Sequence, residues 1–415
     1  MQLPLPTSPT LPGDHAADAP HRLVGVHGGP DALGVPAHDF STNSNACGPC
    51  PAVLAALQQA DATRYPDPAY TALRAALAAL HGVAPGRIVV AGSASEFIHR
   101  ITTWAQLQGA AQVLLPPHSY GDYAQAAQAH RLAVRRRGAG GADGADGVYG
   151  VHVASTTLQW ACEPASPLGT VDAALAAWHA APLPGGVRVL DCAYHPLRLE
   201  PAGPAPALPA SAWQLWSPNK ALGLTGVRAA YAVAPAGAEG MVLALQGLAA
   251  SWPVGAHGVA LLHAWATPAV QQWVAACLPT LRQWKARQQA LCTALGWAVL
   301  PGSLANYFVA TLPGPSVSTA ETVFGDDLPA PHPPVRAAPV EARARSGAAH
   351  LCGPGVAHPA TSALQAALRQ HGIKLRDCTS FGLPGAVRLG VLPPASQDAL
   401  QAAWHAVQAD PTLRT

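Results

Sequence analysis

Lys220 and Arg228 stand eight residues apart in Ser217-Pro-Asn-Lys220-Ala-Leu-Gly-Leu-Thr-Gly-Val-Arg228, with Ser217 three residues before the lysine. A lysine amine at a strand–loop junction can condense with an aldehyde. The Ser217 hydroxyl and the Arg228 guanidinium can then hold a dianionic phosphate, the arginine through two parallel hydrogen bonds. Lysine is scarce here, with only Lys220, Lys285 and Lys374 in 415 residues. Taken alone, the segment reads as well as an ordinary solvated lysine and arginine.

Other residues supply what a phosphorylated aldehyde cofactor would need. Asp191 ends the run Val187-Arg-Val-Leu190, apolar but for Arg188, with Tyr194 three residues on. A carboxylate at the buried end of a strand is costly unless it meets a cation, and a protonated ring nitrogen would be one. Asp191 could otherwise cap a helix or turn. Tyr194 could donate to a ring oxygen. Gly92-Ser93-Ala94-Ser95-Glu96 follows the short apolar run Arg-Ile-Val-Val-Ala, where free N–H groups at a helix start suit a phosphate. Tyr120, in Pro116-Pro-His-Ser-Tyr-Gly121, is placed to stack on a ring, or else is a core aromatic. Arg388 lies inside the apolar run Ala386-Val-Arg-Leu-Gly-Val391, and a buried arginine needs an anion.

The elements that must position these groups alternate along the chain. Helical periodicity appears over 51–82 in two pieces separated by Arg64-Tyr-Pro-Asp-Pro68. Strand-like runs follow at Arg87–Ala91, Gln-Val-Leu-Leu-Pro, Tyr-Gly-Val-His-Val-Ala-Ser (149–155), Val-Arg-Val-Leu-Asp-Cys-Ala and Arg-Ala-Ala-Tyr-Ala-Val-Ala, with helical patterns between them. That alternation predicts a mostly parallel sheet covered on both faces. Beyond about Pro253 long helices take over, notably 268–295. A strand is expected at 306–312, a helix at 360–371 and strands near 373–376 and 386–391. The division expected is an N-terminal arm (1–50), a large α/β domain (51–255) and a small α+β domain (256–415). Residues 313–357, rich in Pro, Ala, Gly and Arg, read as a flexible insertion, and 137–149 as a surface loop.

Composition excludes more than it suggests. With 24 Lys+Arg against 22 Asp+Glu, nothing favours nucleic acid or an anionic membrane as partner. The stretch 240–281 has no charged residue, but Gln246, Ser251, Pro253, Gly255 and His257 interrupt it, so buried helices are expected rather than a membrane span. The N-terminus lacks the basic and apolar regions of a signal peptide, and a cytoplasmic protein is expected. Of eight cysteines only Cys47 and Cys50 form a CxxC, and no zinc spacing accompanies it, so free thiols and no metal are expected.

The Ser217–Arg228 segment resembles the cofactor-lysine motif of fold-type I pyridoxal-phosphate enzymes. From His27 to about Trp404 the chain looks most similar to the threonine-phosphate decarboxylases of cobalamin biosynthesis, relatives of the histidinol-phosphate aminotransferases. Four segments carry this: His27-Gly-Gly29, Asp39-Phe-Ser-Thr-Asn-Ser-Asn45, Arg64–Pro68 and Arg376-Asp-Cys-Thr-Ser-Phe-Gly-Leu-Pro-Gly385. The resemblance implies an α/β fold with a mostly parallel seven-stranded sheet and a small α+β domain. It implies pyridoxal 5'-phosphate joined to Lys220 and held by Ser93, Ala94, Ser95, Tyr120, Ser166, Asp191, Tyr194, Ser217 and Arg228. It also implies a homodimer in which Tyr65 reaches the partner's phosphate. His27 and Arg376 would meet a substrate phosphate, Arg388 the α-carboxylate, and Asn306 would help orient that carboxylate. The substrate implied is a small phosphorylated amino acid, decarboxylated or transaminated by the same residues; a non-catalytic relative is the remaining alternative. Two positions depart from the pattern: Ser166 stands where an asparagine usually bonds the ring oxygen, and Pro30 where the decarboxylases have asparagine.

Overall fold

The computed structural model describes residues 28–138, 157–180, 186–201, 207–313 and 359–410. Seven strands form the main sheet: β1 (Ile88–Ala91), β2 (Gln112–Leu115), β3 (Ala133–Arg136), β4 (Thr157–Cys162), β5 (Val187–Asp191), β6 (Trp213–Trp216) and β7 (Ala230–Val233). Their order is β1-β7-β6-β5-β4-β2-β3. Neighbours are parallel except around β7, which runs antiparallel to both β1 and β6. This is the mostly parallel seven-stranded sheet expected. Its middle strands are apolar on both faces because helices cover both. Ile88, Val90, Leu190 and Tyr231 face a core that contains Leu77, Leu261 and Trp265. Val89, Trp160, Val189 and Leu215 face the opposite core, with Phe97, Ile98 and Tyr123.

A second sheet takes the strands Arg376–Asp377, Ala386–Gly390, Tyr307–Thr311 and Ala298–Val299, in that order and all antiparallel. Phe308, Leu389, Leu400 and Trp404 share its core with Phe40. The helix Pro268–Ala294 links the two layers: Val270, Val274 and Leu281 pack under the main sheet, and Cys292 in the second core. The N-terminal segment is held by a two-residue parallel pairing of His38–Asp39 with Ile373–Lys374, and by Gly390 N–H donating to Phe40 O at 2.7 Å. At Gly390 a Cβ would come within 2.6 Å of Thr42 O, so this crossing requires glycine.

Several strands and helices stand where the periodicity puts them. The run 149–155 lies outside the described residues, and the strand found next to it is Thr157–Cys162. Thr157 and Gln159 interrupt its apolar run, although every residue but Gln159 is buried. The edge strand β3 has no apolar signal in the sequence, because Arg135 and Arg136 make it polar and only its partner β2 defines it. The insertion read at 313–357, apart from residue 313, and the loop beyond residue 138 lie outside the described residues. The charge-free stretch forms the helix Ala256–Trp265 and parts of its neighbours Glu239–Gly247 and Pro268–Ala294. Among the described residues no helix is long and apolar enough to cross a membrane.

Candidate active site

At the carboxyl ends of β4, β5 and β6 lies a cavity of about 660 Å³, the position where open parallel sheets place ligands. Lys220, Ser217, Asp191, Tyr194, Arg388 and Arg376 all line it. Ser217 follows β6 directly, and the following turn brings the Lys220 amine within 3.4 Å of the Ser217 hydroxyl. The same amine sits 5.5 Å from the centre of the Tyr194 ring. Asp191, the last residue of β5, is only 5% exposed. Tyr123 O–H donates to one of its oxygens at 2.7 Å, and Ala193 N–H to the other at 2.9 Å. Burial raises the Asp191 pKa; Tyr123, Ala193 and the Lys220 charge pull it back in part. Burial likewise pushes the Tyr123 phenol far up, with Asp191 adding to it, so Tyr123 is a fixed donor. Tyr123 was not singled out from the sequence. Its ring stacks on Trp160 at 4.4 Å, and only tertiary packing brings it to Asp191, 68 residues further along the chain.

The helix Ala94–Leu107 opens beside this group. Ser93 is its N-cap and accepts from Glu96 N–H at 3.0 Å, while the Glu96 carboxylate accepts from Gly92 N–H at 3.1 Å. The Ser-x-x-Glu spacing is a capping box in all but the last contact. With the Glu96 N–H spoken for, those of Ala94 and Ser95 remain at the mouth of the cavity, where a helix start attracts anions. A Cβ at Gly92 would lie 2.7 Å from Pro253 O, which keeps this turn glycine. Arg228 is exposed on the rim, and no carboxylate pairs with it among the described residues. Tyr120 forms a wall, edge-on to Tyr123 at 5.8 Å.

Arg388 and Arg376 form the opposite wall. They are direct partners on neighbouring antiparallel strands, 6% and 5% exposed. Both guanidiniums lie against the Phe381 ring, at 5.5 and 4.7 Å. Arg388 donates to Ser166 Oγ and to Ser41 O, each at 3.2 Å, and its buried Nε has no partner among the described residues. No acidic side chain pairs with it among the described residues. Arg376 donates to Asp377 O at 2.8 Å and Ser380 Oγ at 2.9 Å. Burial, then the charge of Arg388, lowers its pKa to about 10. Arg388, buried and without an acidic partner among the described residues, calls for an anion at this wall.

Three expected site residues are not in this wall. His27 lies outside the described residues. Tyr65 is 77% exposed, does not line the cavity of its own chain, and stacks on Trp252 at 4.3 Å. Asn306 does not line the cavity among the described residues: it is fully buried, and its amide donates to the carbonyls of Asn43 at 3.4 Å and Ser44 at 3.2 Å. Alternation explains this, because Tyr307 next to it takes the inward position under Arg388. The loop that Asn306 supports puts Asn43 on the cavity wall instead. Both polar atoms of the Asn43 side chain are buried with no partner among the described residues. Asn43 lay inside a segment already noted, but nothing in its type separated it from its neighbours. Ser166 reaches Arg388, so its hydroxyl serves the anion wall.

The donor set fits a phosphorylated pyridine aldehyde: an amine, a buried carboxylate needing a proton across from it, and a phosphate cup of N–H groups and an arginine that no carboxylate pairs among the described residues. Residues 36–407 match the family model described as aminotransferase class I and II. A histidinol-phosphate aminotransferase of Hyphomonas neptunium is 35% identical over 130 residues, which is 30% of this chain and 34% of that enzyme. The match therefore spans about a third of that relative's length. Among solved structures, a histidinol-phosphate aminotransferase from Sinorhizobium meliloti, in complex with pyridoxal-5'-phosphate, aligns with TM-score 0.63 and 20% identity over 88% of this chain and 89% of its own. L-threonine-O-3-phosphate decarboxylase from Porphyromonas gingivalis aligns with TM-score 0.59 and 17% identity over 86% of this chain and 95% of its own. At these identities the structural likeness concerns the fold.

Proposed function

The chain belongs to the class I and II aminotransferase family, and from that premise we propose that it is a pyridoxal 5'-phosphate enzyme that decarboxylates O-phospho-L-threonine to aminopropanol phosphate, the reaction used in cobalamin biosynthesis. When bound, this cofactor supplies an electron sink for the pair left as a bond to the substrate α-carbon breaks. Lys220 would hold it covalently. Asp191, oriented by Tyr123 and Ala193, would keep its ring nitrogen protonated, and Tyr194 would meet its ring oxygen. The N–H groups at Ser93, Ala94 and Ser95, the Ser217 hydroxyl and Arg228 would take its phosphate, and Tyr120 its ring face. In a homodimer, Tyr65 would complete the phosphate cup of the partner subunit.

The observation that carries the substrate is the pairing of Arg376 with Arg388 on one buried wall. Two guanidiniums there suit a substrate with two anionic groups, a carboxylate on Arg388 and a phosphate on Arg376. Phosphothreonine has both, whereas histidinol phosphate has no carboxylate. Arg388 would also decide which α-carbon bond is presented for cleavage. If it presents the carboxylate, CO2 leaves. If it presents the α-proton, the Lys220 amine takes it and amino transfer follows. The 35% identity to a histidinol-phosphate aminotransferase supports the second outcome as the competing reading, with a diacid as one substrate. Purified holoenzyme given O-phospho-L-threonine should release CO2 and form aminopropanol phosphate. No CO2, together with amination of a 2-oxo acid by histidinol phosphate, would overturn the decarboxylase reading in favour of the transferase.

A further inference from the structure

Asp122 is a buried carboxylate, 5% exposed, that does not itself line the cavity. It sits in the first turn of the helix Gly121–Ala129, between Tyr120 and Tyr123. An acid there also meets the helix dipole, but that alone requires neither burial nor a bond to another helix. The Asp122 side chain does make such a bond: Ser95 Oγ, at the start of the helix Ala94–Leu107, donates to its Oδ2. The Tyr120 phenol lies 3.3 Å from the same Ser95 oxygen. A hydroxyl has one proton, and a carboxylate can only accept. With the Ser95 proton on Asp122, the Tyr120 O–H is the donor where the two hydroxyls meet, and Asp122 also acts on the phenol directly. The result is an ordered relay, Tyr120 to Ser95 to Asp122.

We propose that Asp122 is a positioning residue: through Ser95 it fixes the Tyr120 ring as one wall of the cavity, and it turns the Ser95 hydroxyl away from the phosphate, so that Ser95 serves the cup by its backbone N–H alone. This rests on the reading of the cavity as a cofactor site. A negative charge beside a phosphate cup is unfavourable in itself, which makes a merely incidental acid here costly. Its field also reaches its neighbours. Burial and then Asp122 push the Tyr120 phenol well above its ordinary range, so that proton stays in the relay, and Asp122 adds to the raised pKa of Asp191.

The test titrates apoprotein with pyridoxal 5'-phosphate, reading tryptophan fluorescence for affinity and visible circular dichroism for the fixed orientation of the bound ring. Asp122→Ala and Ser95→Ala should each reduce the dichroic band; affinity should weaken by about fivefold in Ser95→Ala and by less in Asp122→Ala, which also removes the charge beside the phosphate cup. Combined, they should do no more than the stronger single change, because both break one relay. Asp122→Asn, whose amide oxygen still accepts, should keep most of the band; if the alanine variant does not fold, Ser95→Ala with and without Tyr120→Phe gives the equivalent cycle on the other bond of the relay. Additive losses would overturn the proposal, as would a variant that only unfolds at lower temperature while its bound cofactor keeps the wild-type band. A wild-type chain that binds no pyridoxal 5'-phosphate would overturn the cofactor reading itself, which is a different result from additive variants on a normal background.

Discussion

Asp191 and Arg388 carry opposite electrostatic problems, and each makes a prediction. Asp191 is ionisable, buried, and held by two donors. Its folded pKa is raised above the ordinary 3.8, so its contribution to stability is fully present below pH 3.8 and is lost as the pH rises through the raised value. In apoprotein, Asp191→Asn should therefore gain stability relative to the parent on going from acid to neutral pH, read as a growing difference in Tm. In holoenzyme the same change should cut kcat by about 10²–10³, since a neutral amide cannot keep the ring nitrogen protonated. Arg388→Lys keeps a charge but loses the fork that reaches Ser166 and Ser41 together. It should raise KM for a carboxylate substrate by ~30-fold, about 2 kcal/mol. Both residues were legible in the sequence because each is a charged residue stranded in an apolar run. Tyr123 and Asp122 were not. Their partners, Asp191 and Ser95, lie 68 and 27 residues away, and no local pattern encodes such a pairing.

Elements were legible where one period ran uninterrupted, as in the helices Thr71–His81 and Pro359–Gln370 and the strand Ala386–Gly390. They were not legible where tertiary pairing outweighs pattern, as in β3 and β4. The core behind β6 and β7 adds a pH dependence of its own. His81 and His195 pack against Trp216, and burial lowers each pKa to about 4. A depressed histidine gives stability that is present above its ordinary value of 6.5 and lost as the pH falls from there through about 4. Thermal unfolding of apoprotein should show a falling Tm across that window. His81→Gln, which still offers Tyr231 a hydrogen-bond partner, should flatten the fall. An unchanged slope in that variant would remove His81 from the account.

At the scale of the molecule, the cavity joins two sheets that share no strand, and the cup beside Arg228 is open. The exposed Tyr65–Trp252 stack is the feature a second copy would use. If Tyr65 serves the partner's site, mixing Lys220→Ala protein with Tyr65→Ala protein should regain activity, because each hybrid dimer holds one intact pair of Lys220 and Tyr65. Mixtures that stay at the level of the separate variants would contradict this. The central claim concerns one amine among three. Lys285 is a demanding rival, since burial lowers its pKa to about 8, although its amine is occupied by Ser303 O at 2.5 Å. Reduction of the intact holoenzyme with borohydride, followed by digestion and mass mapping, should place the pyridoxyl group on the peptide that contains Lys220. Label on Lys285 or Lys374, or no label on any lysine, would contradict the account.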